Sequence, residues 1–214
     1  MDDIMDAATD GNYRLNVGFQ YPNQPAYTDA GKETYNLHNA KLAKEYLAKS
    51  GYKGEPVVLL TNKDYPAMYN SALVMAEQMK SIGIKAELKV LDWPSSIQMY
   101  QKTTTGWNFF FTGHGTQPAL GALAEMQFFT QPNAVYKPKD EAGDPDLAAA
   151  WKDMNEKPDA KDRQAAFARM QKLILDRAYA FPFGSLTKVQ GTRANVEGFT
   201  PFRIPRMSNV WFDK

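Results

Sequence analysis

Between residues 55 and 112 the hydrophobic period switches repeatedly from strand to helix and back, and few folds accept that alternation. Val57-Val58-Leu59-Leu60 is an apolar run of strand length, so residues 57–61 read as a strand. Residues 66–82 then place Met68, Ala72, Met75, Ala76 and Met79 three and four apart, the spacing of one helix face, with Gly83 as the stop. At this spacing the methionines are core packing and not a soft binding groove. Residues 84–91 alternate Ile84, Ala86, Leu88 and Val90 with Lys85, Glu87 and Lys89, which predicts a half-buried strand with the apolar set inward. Asp92 is placed to cap a short helix over 93–102, in which Pro94 falls where a missing N–H costs nothing. Residues 107–112, Trp-Asn-Phe-Phe-Phe-Thr, close the series as a strand covered on both faces, which belongs in the middle of a sheet. Two such strand–helix–strand units make a small open α/β sheet with right-handed crossovers.

The flanks are less regular. Residues 1–35 scatter apolar positions among Asn, Gly, Pro and Gln, and read as an extended connecting segment after a first turn or so of helix over 2–8. Residues 36–50 form a helix with Asn36 as cap, Leu37, Ala40, Ala43, Tyr46 and Leu47 on its apolar face, lysines opposite and Gly51 as the stop. A helix is predicted over 119–129, followed by a long exposed proline-containing loop. Asp144 caps another helix, with Pro145 at its first position and Leu147, Ala150, Trp151 and Met154 on the buried stripe. Asp159 opens the last long helix, which carries Phe167, Met170, Leu173 and Ile174 to about Asp176. Residues 178–186 and 188–192 read as strands, the first confined to an edge or a bulge by Pro182. From Asn195 the tail is again irregular.

Composition removes several function classes. With 25 basic and 24 acidic residues and no long block of either sign, neither nucleic acid nor an anionic membrane surface is the expected partner. The absence of cysteine excludes a disulfide scaffold and thiolate catalysis. His38 and His114 are the only histidines, too few for a multi-histidine cage, so no metal site and no tightly bound cofactor is expected. No apolar run approaches the roughly 18 residues of a membrane span. The acidic start MDDIMDAATDG is unlike a signal peptide, and any export signal is expected to be removed or to lie upstream. No phosphate-binding Gly-x-x-x-x-Gly-Lys-Ser/Thr run, no Gly-x-Gly-x-x-Gly and no Gly-x-Ser-x-Gly elbow occurs, and no catalytic residue is assigned.

The working surface is expected at the carboxyl ends of the strands, where loops of an open α/β sheet diverge to form a crevice. Gly113-His114-Gly115 follows the aromatic strand there, with Thr116 and Gln117 next in line. Residues 61–65, including Asn62 and Tyr65, follow the first strand and flank the same rim. On local sequence alone Gly-His-Gly is also an ordinary turn and Trp93 an ordinary core residue. Two other readings stand beside a ligand-binding one: a stand-alone α/β interaction domain, and a small hydrolase with His114 as general base but without an identifiable partner acid or nucleophile.

Several phrases carry a resemblance. NLHNAKLAKEYLAKSGYKG before a strand, then ALVMAEQMKSIGIKAELKVLDW, then GWNFFFTGHG, and later RQAAFARMQKLILDRAYAFPF and NVWFDK, occur in an order similar to that of the family 5 extracellular solute-binding proteins, the dipeptide, oligopeptide and nickel class of ABC importers. The resemblance implies an α/β fold that is one lobe of a periplasmic binding protein type II-like architecture, with a mixed sheet of about five strands flanked by helices. It implies the carboxyl-terminal lobe alone, with residues 1–35 connecting from a missing amino-terminal lobe, 36–194 forming the ligand-binding lobe, and 195–214 packing on the missing one. The implied partners are a peptide or small-molecule solute and the membrane permease, in the periplasm or lipid-anchored outside the cell. The implied ligand-facing residues are Trp93, which matches an aromatic of oligopeptide binders, and His114 and Gln117, which stand near a tryptophan and an amine-binding aspartate in such proteins. Since residues 113–117 hold no acid, the expectation is a peptide-like ligand with its amine blocked or bonded elsewhere, a sugar or an opine, unless Asp64, Asp92 or the other lobe supplies the carboxylate.

Overall fold

The computed structural model describes residues 1–103, 105–115, 144–187, 189–202 and 206–213. Its centre is β2 (Val57–Asn62), a strand whose last four residues are fully buried. It pairs in parallel with β3 (Ala86–Leu91) on one side, from Val57 opposite Ala86 to Asn62 opposite Leu91. On the other side it pairs in parallel with β4 (Phe109–Phe110), and the bonds from Asn108 N–H to the Val58 carbonyl and from Phe111 N–H to the Leu60 carbonyl extend that ladder at both ends. The phenylalanine run was expected in the middle of the sheet, but among the described residues the central strand is β2. Rings from other elements cover the run instead of further strands. Phe109 and Phe111 meet Phe181 and Phe183, and Phe110 stacks on Tyr100 with centroids 4.5 Å apart.

Helices α3 (Pro66–Ser81) and α4 (Trp93–Lys102) connect these strands. The order β3-β2-β4 sends the first crossover one way along the sheet and the second back over it, so two right-handed crossovers must place their helices on opposite faces. Side chains agree with this. Ala72 and Ala76 of α3 close on Leu59, Ala86 and Phe111, while Tyr100 of α4 meets Phe110 on the other face. The methionine stripe of α3 packs on the same cluster as expected. Val90 was expected inward but is 37% exposed, because β3 is an edge strand and its last residues outrun the helix that covers Ala86 and Leu88.

Helix α1 (Asp2–Thr9) buries Ile4 and Met5 and lies on α3, where Asn70 Nδ2 donates to the Ala7 carbonyl. Helix α2 (Ala40–Lys49) starts later than its sequence suggests. Asn39 is the cap, accepting from Leu42 N–H at 2.9 Å, because Asn36 and His38 adopt left-handed backbone and turn their side chains to Asp2. Its proposed apolar face is accordingly not buried: Leu37 and Tyr46 are 50% and 66% exposed.

A second core lies between α5 (Pro145–Glu156) and α6 (Ala160–Asp176), where Leu147, Ala150, Met154, Phe167, Met170 and Ile174 interdigitate and Trp151 packs at the margin. Asp144 caps α5 through Asp146 and Leu147 N–H and pairs with Arg177, while Tyr179 donates to it at 3.0 Å. Burial pushes its carboxyl up, but the Arg177, Leu147 and Tyr179 bonds together hold it below the usual carboxylate range.

The irregular lead-in wraps this second core around one side chain. Gln171 is fully buried; its Oε1 accepts from Phe19 N–H, and its Nε2 donates to the Thr28 and Ala30 carbonyls at 3.1 and 2.8 Å. Gly18 lies so close that a Cβ there would sit 2.2 Å from Gln171 Oε1. After α6 the chain returns along the sheet, and residues 178–186 hold only a two-residue strand, β5 (Ser185–Leu186), paired antiparallel with β1 (Tyr13–Arg14). Pro182 lacks the N–H that a longer strand would use. Of the strand expected over 188–192, residues 189–192 form none and Lys188 lies outside the described residues. The tail forms a separate antiparallel pair, β6 (Val196–Glu197) with β7 (Trp211–Phe212). In place of one mixed sheet of about five strands, the described residues form a three-stranded parallel sheet and two short antiparallel pairs. The helix expected over 119–129 lies outside the described residues.

Replacing Gln171 by Leu leaves Phe19 N–H and two carbonyls without their buried partner and is expected to cost about 2–4 kcal/mol. A lowered Tm together with hydrogen exchange that accelerates first over residues 18–30 checks this. Ala178, just past α6, has φ 57°, a left-handed position where a Cβ is unfavourable. Ala178→Gly is expected to raise stability by about 1 kcal/mol in chemical denaturation.

Candidate ligand-binding rim

Because the three central strands are parallel, residues 62–65, 92–93 and 111–115 all leave the sheet at one edge. The first two loops depart toward opposite faces, and such a divergence between neighbouring strands opens the crevice used by ligands in α/β sheets. Here a carboxylate spans that divergence. Asp64, on the loop after β2, accepts from the Trp93 backbone N–H at 2.6 Å. Asp92 is occupied differently: Oδ1 accepts from Ser95 N–H and Oδ2 from Ser95 Oγ, both at 2.8 Å. Those bonds hold the Asp92 carboxyl below its ordinary pKa.

Above the Asp64 link stands an aromatic series. Tyr65 is 47% exposed and meets the half-buried Trp93 edge to face at 5.2 Å. Trp93 stacks on Phe110 at 6.1 Å, Phe110 on Tyr100, and Tyr100 packs on Trp107 at 5.4 Å. The ring presented at the rim is thus backed by rings that are themselves packed, which fixes its orientation before any ligand arrives. Lys63 turns its ammonium over the Tyr69 ring, 5.2 Å from the centroid.

The structure brings together Tyr65, Trp93, Gly113, His114 and Gly115 on this edge and treats Asn62 differently. Asn62 is fully buried; its Oδ1 accepts from Tyr65 N–H at 3.0 Å and its Nδ2 donates to Met68 Sδ. It shapes the loop that carries Tyr65 and presents no atom to solvent. Gly113 sits over Met68, with 3.8 Å between the position of a Cβ and Met68 Cε, so the end of β4 lies against the first turn of α3. His114 is at the surface, but enough protein surrounds the ring for desolvation to lower its pKa below the ordinary value of 6.5. It is therefore a neutral imidazole at pH 7, able to donate and accept. Thr116 and Gln117 lie outside the described residues. Asp64, weighed on sequence only as an alternative source of a carboxylate, sits at the divergence itself, directly before Tyr65. Among the described residues no cluster of three or more His, Asp or Glu side chains is arranged to hold a metal.

The chain belongs to the bacterial extracellular solute-binding proteins of family 5, whose model (family 5 Middle) matches residues 1–134. A probable peptide ABC transporter periplasmic-binding protein of Sinorhizobium fredii is 26% identical over 175 residues, which are 78% of this chain and 32% of that protein. The dipeptide binding protein of Pseudoalteromonas sp. SM9913, solved with Met-Leu, shares the fold with a TM-score of 0.74 at 19% identity, over 99% of this chain and 43% of its own. The oligopeptide-binding protein of Bacillus subtilis, solved with a nonapeptide, gives 0.71 at 18% identity, over 100% of this chain and 45% of its own. The chain thus spans about a third of the curated relative and under half of these two structures.

His114 is expected to titrate below pH 6.5, checked by NMR of its ring protons. The sign follows from the lowered value: between the folded and the unfolded pKa the folded chain binds fewer protons, so the contribution of His114 to stability falls as pH drops below 6.5 and levels off below the folded pKa.

Proposed function

We propose that this chain forms one wall of the cleft in the solute-binding component of an ABC importer, which captures a peptide-like or other small polar solute and delivers it to the membrane permease. The observation that carries this reading is the Tyr65–Trp93–Phe110 series beside Gly113-His114-Gly115 at the carboxyl edge of a parallel sheet. Family membership supports it, as do the names of the relatives, which describe peptide binding and a periplasmic location. In this reading the protein acts in the periplasm, or outside the cell on a lipid anchor, and is a binding protein and not an enzyme. A second lobe of the same polypeptide closes over the rim as a jaw. Exposed apolar side chains at the far end fit that arrangement: Phe202, Met207, Trp211 and Phe212 are between 49% and 73% exposed, a surface the tail would cover by packing on the other lobe. Residues 1–35 would then enter from that lobe and fold back onto α3 and α6.

The test is calorimetric titration of the full-length polypeptide with di- to pentapeptides, oligosaccharides and opines, alongside incubation with esters and peptides. Saturable binding without turnover is expected, and Trp93→Ala is expected to weaken it by about tenfold or more, as loss of a packed aromatic anchor does. Turnover lost in His114→Ala, or no binding to any of these solutes, would overturn the reading.

A further inference from the structure

We propose that this chain associates with a second copy of itself through the free edge of β3, the two strands pairing antiparallel about Leu88. Among the described residues β3 has one neighbouring strand, β2. Val57 N–H donates to the Lys85 carbonyl, and the parallel register runs without a bulge from Val57 opposite Ala86 to Asn62 opposite Leu91. Residues 85, 87, 89 and 91 therefore turn their backbone groups to β2, while Ala86, Leu88 and Val90 turn theirs outward. Ala86 N–H bends back to the Ile84 carbonyl at 3.0 Å. The Ala86 carbonyl and both backbone groups of Leu88 and Val90 have no hydrogen-bond partner among the described residues, and such a row is a template for another strand.

Side chains decide which strand fits. Edges of this kind are commonly guarded by proline, a bulge or lysines. β3 has neither proline nor bulge, and its charges alternate in sign as Lys85, Glu87 and Lys89. Lys85 and Glu87 are exposed and reach each other at 3.2 Å. With Leu88 on a two-fold axis, Ala86 opposes Val90 of the second copy, and Glu87 opposes Lys89 twice, at the positions where facing side chains approach most closely. An axis on Glu87 would set that acid against itself and Lys85 against Lys89, and an axis on Lys89 would set that lysine against itself. An axis on Ala86 would engage only the first half of the strand. The apolar face favours the same register: Ala86 and Leu88 pack under α3, while Val90 is 37% exposed where the second copy's Ala86 would stand. Leu88 then exchanges both of its backbone bonds across the axis, and each Val90 N–H meets the opposing Ala86 carbonyl. Since the two central strands run in opposite directions, the two rims lie at opposite ends of the joined sheet and stay open.

The experiment is sedimentation equilibrium of the full-length polypeptide at about 1 to 200 μM, since one strand pair is a small interface and its association is expected in the micromolar range. Wild type is expected to form a dimer. Glu87→Lys and Lys89→Glu each turn both facing pairs into like charges, and each variant alone is expected to dimerise at least about tenfold more weakly. Mixed in equal amounts, the two variants set a lysine of one chain against a glutamate of the other at both pairs, and the mixture is expected to regain the wild-type dimer as a heterodimer. That regain separates the inference from a fold damaged by substitution, because neither chain is altered by mixing. A monomer over the whole range, a dimer that both single variants leave unchanged, or a mixture no more associated than its components overturns the inference. The solute-binding reading stands in each of those cases, since it rests on the rim and not on this edge.

Discussion

The burial of β2 is the constraint from which the lobe follows. Leu59, Leu60, Thr61 and Asn62 have no exposed surface, so both faces of this strand must be covered and both of its edges paired. A parallel sheet meets that demand only through long crossovers, and their fixed hand places α3 and α4 on opposite faces. The same geometry brings every strand end to one edge and parts the loops there. The rim is thus a consequence of how the core is closed. The bond from Trp93 N–H to Asp64 then ties the two parting loops, so the aromatic edge is held by the scaffold and not by the ligand.

The second core is attached by polar means. Residues 16–31 have too few apolar side chains to bind α6 by area alone, and they use a buried amide to satisfy three of their backbone groups at once. A buried amide is costly unless its bonds are complete, and Gly18 makes the necessary approach possible. Farther along, Tyr35 OH donates to the Phe183 carbonyl at 2.6 Å, and β1 pairs with β5, so the lead-in and the return from α6 are fastened to each other. Through them the helical hairpin and the sheet form one body.

What the sequence made legible was what depends on local period. The bounds of α4, the start of α5 and the packing side of α3 follow from spacing and capping residues, and the structure has them as expected. Strand order was not legible, because an all-apolar run such as 109–111 reads the same whether strands or rings cover it. The start of α2 was missed because Asn36 and Asn39 are equally good caps by type, and the choice between them is made by Asp2, a residue distant in sequence. At the rim, the positions of Tyr65 and His114 were legible from their place at strand ends, whereas Trp93 reads locally as a core residue and was singled out by the resemblance. Asn62 was misplaced for a related reason: a polar residue at a strand end can face outward or be drawn in by its own loop, and only the bonds to Tyr65 and Met68 decide.

The electrostatics of the rim are those of a nearly neutral wall. With His114 neutral, the charged side chains of the rim loops among the described residues are Asp64, Asp92 and Lys63, set against the two helix N-termini. These nearly cancel, so the wall exerts little long-range pull on a solute and gives little to charge as such. What the rim does fix is direction: the Asp64 carboxylate is held by the Trp93 N–H, and the Trp93 ring by the rings packed behind it. A near-neutral wall of this kind would hold a solute weakly until something opposite excluded water, because polar contacts contribute little in high dielectric and more once water is excluded. Under the proposed two-lobe reading, closure over the rim would therefore strengthen its polar contacts by excluding water, and opening would readmit water and weaken them.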